Sequence, residues 1–216
     1  MITRRIATTL CALFMAGTAL AQAPGNPNLN AQLLLAARAG DAAGVDRLLQ
    51  RGAAVDSRNR LGKTPLMMAS EKGQEALVLA LLKAGADANM AAVDRVTPLM
   101  AASYGGHTAI VRALLQAGAQ LSALDRMAKP AVVYAAGQGH TQVLQLLLDQ
   151  GVAVDTAYAN QLTALMWAAG QGHAEAVQLL LARGANPQLR DDRGLTAADM
   201  ARQGGHQAVL ALLASP

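Results

Sequence analysis

Four histidines, His107, His140, His173 and His206, recur at intervals of 33 residues. A ladder of imidazoles is a donor set for a transition metal. Met67, Met100 and Met166 add thioethers of the kind copper(I) takes. Ser70 and Ser103 offer hydroxyls, and Asp94, Asp125, Asp191 and Asp192 offer carboxylates. A metal carrier or a small hydrolase is built from such residues, but the spacing argues against both. Helices stacked side by side lie ~8–10 Å apart. Zinc needs its nitrogens at ~2.0–2.1 Å, so imidazoles on successive units cannot share an ion without other ligands. Val133 interrupts the methionine series, and Met is a common filler of irregular core gaps. No G-x-S-x-G elbow occurs, and no His–Asp partner is implied beside Ser70 or Ser103. Asp191 and Asp192 are the one candidate carboxylate pair, yet adjacent residues in a turn point apart, and Asp in turns bonds its own backbone. The expectation is no enzyme, no cofactor and no bound metal.

The elements that position these residues follow from the same interval. Gly40, Gly73, Gly106, Gly139, Gly172 and Gly205 are spaced by 33, as are Gly52, Gly85, Gly118, Gly151 and Gly184. Leu48, Leu81, Leu114, Leu147, Leu180 and Leu213 keep the same phase. So does the apolar series Val45, Val78, Val111, Leu144, Val177 and Leu210. A fixed period of this length marks a repeat array. Within the second unit, Thr64 is placed to cap a helix, with Pro65 at the first helical position, where its missing N–H costs nothing. The spacing predicts a first helix over Leu66 to Lys72, broken by Gly73, and a second over Gln74 to Lys83. Val78, Leu81 and Leu82 then share one face of the second helix. Gly85 closes it at a position that needs positive φ. An extended loop over 86–96 leads to Thr97-Pro98. Neither helix is long enough to stand alone in water, so each must bury its face against neighbouring units, as in a solenoid.

The unit openings read TPLMMASEKGQ, TPLMAASYGGH, PAVVYAAGQGH, TALMWAAGQGH and TAADMARQGGH. With these motifs the chain resembles the ankyrin-repeat family, whose units carry T-P-L-H-x-A-A, then G-H, then L-L-x-x-G-A. A first unit, Leu33 to Asn59, lacks Thr-Pro but keeps Gly40, Leu48, Leu49 and Gly52. The resemblance implies an all-α solenoid of about six 33-residue helix-turn-helix units, joined by extended loops with β-turns. The units fall near 29–59, 60–92, 93–125, 126–158, 159–191 and 192–216. Two departures stand out. The motif histidine is replaced by Met67, Met100, Val133, Met166 and Asp199, which removes a side-chain hydrogen bond but keeps volume. In the unit that opens on Pro130-Ala131, the Thr cap is missing. The resemblance also implies that the G-H histidines open second helices, and that first helices line a concave palm with loop tips as fingers. It implies a folded protein as partner.

Composition agrees with a helical array. Apolar residues make up 53% of the chain but aromatics only 2%, so the core volume is Leu, Ala, Val and Met. A β-sandwich or barrel uses more aromatic and β-branched residues. Residues 1–21 read as a secretory signal peptide. Arg4 and Arg5 form the charged start, Ile6 to Leu20 a mostly apolar stretch, and Ala19-Leu20-Ala21 a small-x-small site for a cut after Ala21. Thr3-Arg4-Arg5 begins a twin-arginine pattern, but Ala7 and Thr8 stand where that pattern has bulky apolar residues, so the general secretory route is preferred. The single cysteine, Cys11, lies within this leader, so a mature chain has no disulfide. Residues 22–28 (QAPGNPN) read as a polar tether. The expected location is the periplasm, with secretion as the other outcome.

Of 18 basic residues two lie in the leader, which leaves 16 against 14 acidic. Nucleic-acid binding wants a clustered basic face and membrane binding a polybasic segment, so neither partner is expected, nor a stable membrane association once the leader is gone. A monomer is expected. Beyond the leader the chain carries four aromatic residues, Tyr104, Tyr134, Tyr158 and Trp167. Tyr104 ends a first helix at a variable position and Tyr158 falls at a loop tip, so both are expected to be exposed. Tyr134 and Trp167 occupy equivalent positions that suit either core or surface. Tyr and Trp are enriched at binding hot spots, so these four are the expected anchors for a protein partner, with Asp94, Arg95, Asp125 and Arg126 as a polar rim. The competing reading is a metal-binding protein or hydrolase built on the same array.

Overall fold

The computed structural model describes residues 26–214. The segment read as a signal peptide and the first part of the segment read as a tether, residues 1–25, lie outside the described residues. The described chain is all-helical, with twelve helices in six pairs and no strand. These are α1 (Pro27–Ala39), α2 (Ala42–Gln50), α3 (Pro65–Glu71), α4 (Glu75–Lys83), α5 (Pro98–Tyr104), α6 (Thr108–Gln116), α7 (Ala131–Gly137), α8 (Thr141–Asp149), α9 (Ala164–Gly170), α10 (Ala174–Ala182), α11 (Ala197–Gln203) and α12 (Gln207–Ala214). Helix α1 begins inside the segment read as a tether. The Asn26 side chain accepts from the Asn28 amide, and Pro27 takes the first helical position.

Each later pair starts from local chemistry. Thr64, Thr97 and Thr163 cap α3, α5 and α9 by accepting the amides of Met67, Met100 and Met166. Thr196 does the same for α11, and the Asp199 side chain accepts the Thr196 amide in turn, closing a capping box. At this position the lost motif histidine is therefore replaced by a different hydrogen bond, not by volume alone. Helix α7 starts from Pro130 and has no side-chain cap.

First helices pack on first helices along the stack, and second helices on second helices. The first-helix layer is the tighter of the two, so the stack curves toward it and makes that side the concave one. One core runs the length of the described chain through Leu33, Leu66, Leu99, Leu165 and, in the second helices, Leu81, Leu114 and Leu147. Burying one such side chain fully is worth ~1.5–3 kcal/mol. Helices of seven and nine residues depend on that burial, since isolated helices this short do not persist in water.

Two sets of bonds tie adjacent loops. A side chain early in three of the loops accepts the amide of the next loop: Asp56 from Asp87, Asn89 from Gln120, and Asp155 from Asn186. At the tips, the Val93, Arg126 and Asp192 amides donate to the carbonyls of Leu61, Asp94 and Asn160.

Candidate partner-docking site

Helices α5, α7 and α9 carry Tyr104, Tyr134 and Trp167 onto the concave side. Tyr104 ends α5 and is 54% exposed. Tyr134 is half-buried one helix along, and the two rings meet edge to face, centroids 6.0 Å apart at 80°. This geometry favours the aromatic quadrupoles. The Tyr134 hydroxyl donates to Asp125 Oδ2 at 2.5 Å. Burial, then this hydrogen bond, then the Asp125 charge raise the Tyr134 phenol well above its ordinary value. It stays protonated and keeps donating. Trp167, also half-buried, carries the Lys129 ammonium 4.3 Å from its ring centroid, a cation–π contact.

A cleft of about 150 Å³ opens beside the tyrosine pair, lined by Tyr104, Tyr134, Asp94, Glu71, Lys63 and Val96 over a floor of Met67 and Met100. Lys63 Nζ meets both carboxylate oxygens of Glu71 at 2.8 and 2.9 Å. Asp94 Oδ1 accepts the Val96 amide at 3.1 Å. A wider recess of about 400 Å³ adjoins Trp167, between α9 and α11, and takes in Met166, Arg193 and Met200.

Two expected members lie elsewhere. Tyr158 is half-buried against the core, not exposed, and burial raises its phenol above the ordinary value despite a hydrogen bond with Thr156. It lines a separate recess with Leu121, Leu124 and Pro130, which shares no residue with the tyrosine cleft. Asp125 is 4% exposed and is no rim residue. Its carboxylate is consumed inside the loop by the Met127 and Lys129 amides and by Tyr134. Asn59 and Asp191 hold their loops in the same way. Asp94, Arg95 and Arg126 are exposed at the tips, as the rim requires. Arg95 adopts φ 65°, a left-handed conformation rare for a residue with a β-carbon. Sequence reasoning missed Lys63, Glu71, Lys129 and Val96. Their signal was position: Lys63, Val96 and Lys129 form one 33-residue series in the loop just before each first helix, and Glu71 stands one repeat before Tyr104.

The other candidates for chemistry have structural roles. His107, His140 and His173 precede second helices, as expected. Nε2 of His140, His173 and His206 donates to the carbonyls of Tyr104, Gly137 and Gly170, since a carbonyl can only accept. The rings lie so close to the preceding unit's glycine that a Cβ on Gly139 would fall 2.6 Å from His173 Nδ1. Among the described residues, no group of three or more His, Cys, Asp or Glu could hold a metal ion. Met67, Met100 and Met166 are each 1% exposed, in the core. Ser70 and Ser103 are fully buried with unpartnered hydroxyls. Asp191 is buried while Asp192 is exposed, so the two do not form a pair. No described helix is long and apolar enough to cross a membrane.

The family described as Ankyrin repeats (3 copies) matches residues 33–125 and 132–216. No curated protein matches the chain. Among solved structures, the crystal structure of EF0377, an ankyrin repeat protein, is similar with a TM-score of 0.77 and 31% identity, over 86% of this chain and 98% of that one. Ankyrin repeats are generally scaffolds for protein–protein interaction. With its capped helix pairs, histidine-bridged units and these matches, the chain belongs to the ankyrin-repeat family.

Proposed function

We propose that this chain is a non-catalytic scaffold of the periplasm that docks one folded protein on its concave side, stabilising or inhibiting an enzyme according to that partner. The observation that carries the reading is the half-exposed Tyr104 ring packed edge to face with Tyr134 on neighbouring first helices. Beyond its contact with Tyr134, more than half of the Tyr104 surface is left in water, and rings so placed are the usual anchors of an interface. Trp167, Asp94, Arg95 and Arg126 extend the surface and its rim; Tyr158 and Asp125 drop out of it. The proposed chain acts as a monomer, exported through its leader by the general secretory route.

Capture experiments with the mature chain as bait test this. Tyr104→Ala is expected to lose the partner captured by wild type, by roughly 30-fold in affinity for a hot-spot loss of ~2 kcal/mol, with an unchanged melting temperature. Leu79→Ala, at an exposed position on α4 in the other layer, is expected to retain it. Equal capture by both variants would remove the concave surface from the proposal. Export is tested separately by intact mass: a chain beginning at Gln22 is expected from a periplasmic fraction, and full-length mass in membranes would show an uncleaved anchor.

A further inference from the structure

The aromatic positions 134 and 167 are one repeat apart, and so are positions 96 and 129 in the loops that overlie them. At the second of these junctions the chain supplies its own cation: Lys129 lies over Trp167. At the first, the residue in the place of Lys129 is Val96, which carries no charge. The surroundings of the first junction nevertheless suit a cation better. Two tyrosine rings line it instead of one indole, and Asp94 and Glu71 both border it. Lys63 neutralises Glu71. Asp94 accepts amides alone, through its carboxylate from Val96 and through its carbonyl from Arg126, and no ion pair reaches it among the described residues. The cleft thus keeps one net negative charge beside two electron-rich rings, over an apolar floor of methionine.

We infer that this cleft between α3, α5 and α7 is a subsite for one arginine or lysine side chain of the docked protein, held by Tyr104 and Tyr134 and charge-paired with Asp94. The inference rests on the proposed docking role and names the chemistry of its anchor. A volume of about 150 Å³ admits one guanidinium or ammonium head with part of its alkyl stem. The methionine floor would cover the stem, as apolar surface does for these amphipathic side chains. The open rim explains why Tyr104 is left in water: the ring is a wall of a cleft that the incoming cation completes.

The test is an NMR titration of the folded chain with Nα-acetyl-arginine amide, against Nα-acetyl-citrulline amide, its neutral isostere. Saturable shifts of the Tyr104 and Tyr134 ring protons are expected with arginine and not with citrulline. The affinity is expected to fall with added salt. Asp94→Asn keeps the amide acceptor of the turn and removes only the charge; it is expected to weaken arginine binding by roughly two- to fivefold, the measure of an exposed ion pair. Tyr104→Ala is expected to weaken it by a similar factor, the measure of an exposed cation–π contact. Equal response to arginine and citrulline, shifts centred on Trp167, or an unchanged affinity in Asp94→Asn would each overturn the inference. Partner capture that survives Asp94→Asn but is lost in Tyr104→Ala would remove the basic side chain while leaving the docking surface standing.

Discussion

Ser103 shows how a single residue reports on the array. Its hydroxyl is fully buried in α5 with no partner, and the same position one and two repeats later holds Ala136 and Ala169, equally buried. An unpaired buried hydroxyl costs ~1–3 kcal/mol. Ser103→Ala is therefore expected to raise the melting temperature while partner capture is unchanged; a lower melting temperature would show a hydrogen bond made by the hydroxyl. Glycine supplies a sharper contrast. Gly118 follows α6 at φ 83°, where an added Cβ would meet nothing within 4 Å, whereas Gly139 combines φ 72° with the His173 ring at 2.6 Å. Gly118→Ala should show backbone strain alone, ~1–3 kcal/mol, and Gly139→Ala strain plus displacement of a ring that bridges two units. Thermal melts giving the same loss for both would refute the role assigned to the histidine. Both positions were legible in the sequence as members of 33-residue series. What the histidine does was not: its period shows that it belongs to the fold, but only geometry shows its ring resting on a neighbour's glycine and donating to a carbonyl 36 residues back.

The same divide between period and geometry appears in the elements. Helices were readable because capping, apolar spacing and glycine stops all act within a few residues. Loop tips were not, because their side chains choose between solvent and their own backbone. Asp125 and Asp94 look alike in sequence, yet one is buried and fully bonded and the other faces water. Tyr158 replaces the loop-holding carboxylate of its repeat position, so its loop closes instead through a short 3-10 turn at Ala159–Gln161 and the ring folds inward. Two carboxylates in and just before α11 give these elements a pH dependence. Hydrogen bonds from the Thr196 amide and hydroxyl, with help from Arg202 against some burial, hold Asp199 below its ordinary pKa. Burial raises Asp191, but the Leu195 and Arg193 amides and the Arg193 guanidinium outweigh it, so Asp191 is lowered too. A carboxylate depressed in the folded state contributes stability that is complete above its unfolded pKa and lost as pH falls through its folded value. The last helix pair is thus expected to lose stability below about pH 4, near the unfolded Asp value. Asp199→Asn should flatten that acid slope in melts read from pH 6 to pH 3; an unchanged slope would show that the capping box is not what titrates.

Across the whole molecule the unit interfaces are unequal, and their weakest point is marked by three absences at one place. Stability in a stacked array is close to a sum of unit and interface terms, so a poorly tied junction is where opening begins. Between the loop that follows α6 and the loop that follows α8, Ser122 stands where Asp56, Asn89 and Asp155 accept an amide from the next loop, and among the described residues no bond joins it to the Ala153 amide. The tip bond from the Ala159 amide to the Met127 carbonyl is missing as well, while its counterparts at Val93, Arg126 and Asp192 are made. Helix α7 adds the missing Thr cap. What remains is the apolar core, a 3.5 Å bond from the Thr108 hydroxyl on α6 to the Gln142 side chain on α8, the Tyr134–Asp125 bond and the His140 bond to the Tyr104 carbonyl. The last two lie beside the proposed docking cleft, so a partner bound there would bridge the loosest junction and tighten it, since ligand that binds only the closed stack stabilises it by mass action. Hydrogen exchange is expected to be faster at Ala153 and Ala159 than at the matching amides of Asp87, Gln120, Asn186, Val93, Arg126 and Asp192. Ser122→Asp restores the acceptor used elsewhere. It should slow exchange at Ala153 and raise stability by ~0.5–1.5 kcal/mol, the net worth of one such bond. For a chain of this size that is a rise of roughly 1–6 °C in Tm. Uniform exchange across all junctions, or a Ser122→Asp variant that melts no higher than wild type, would show that the core alone sets the order of opening.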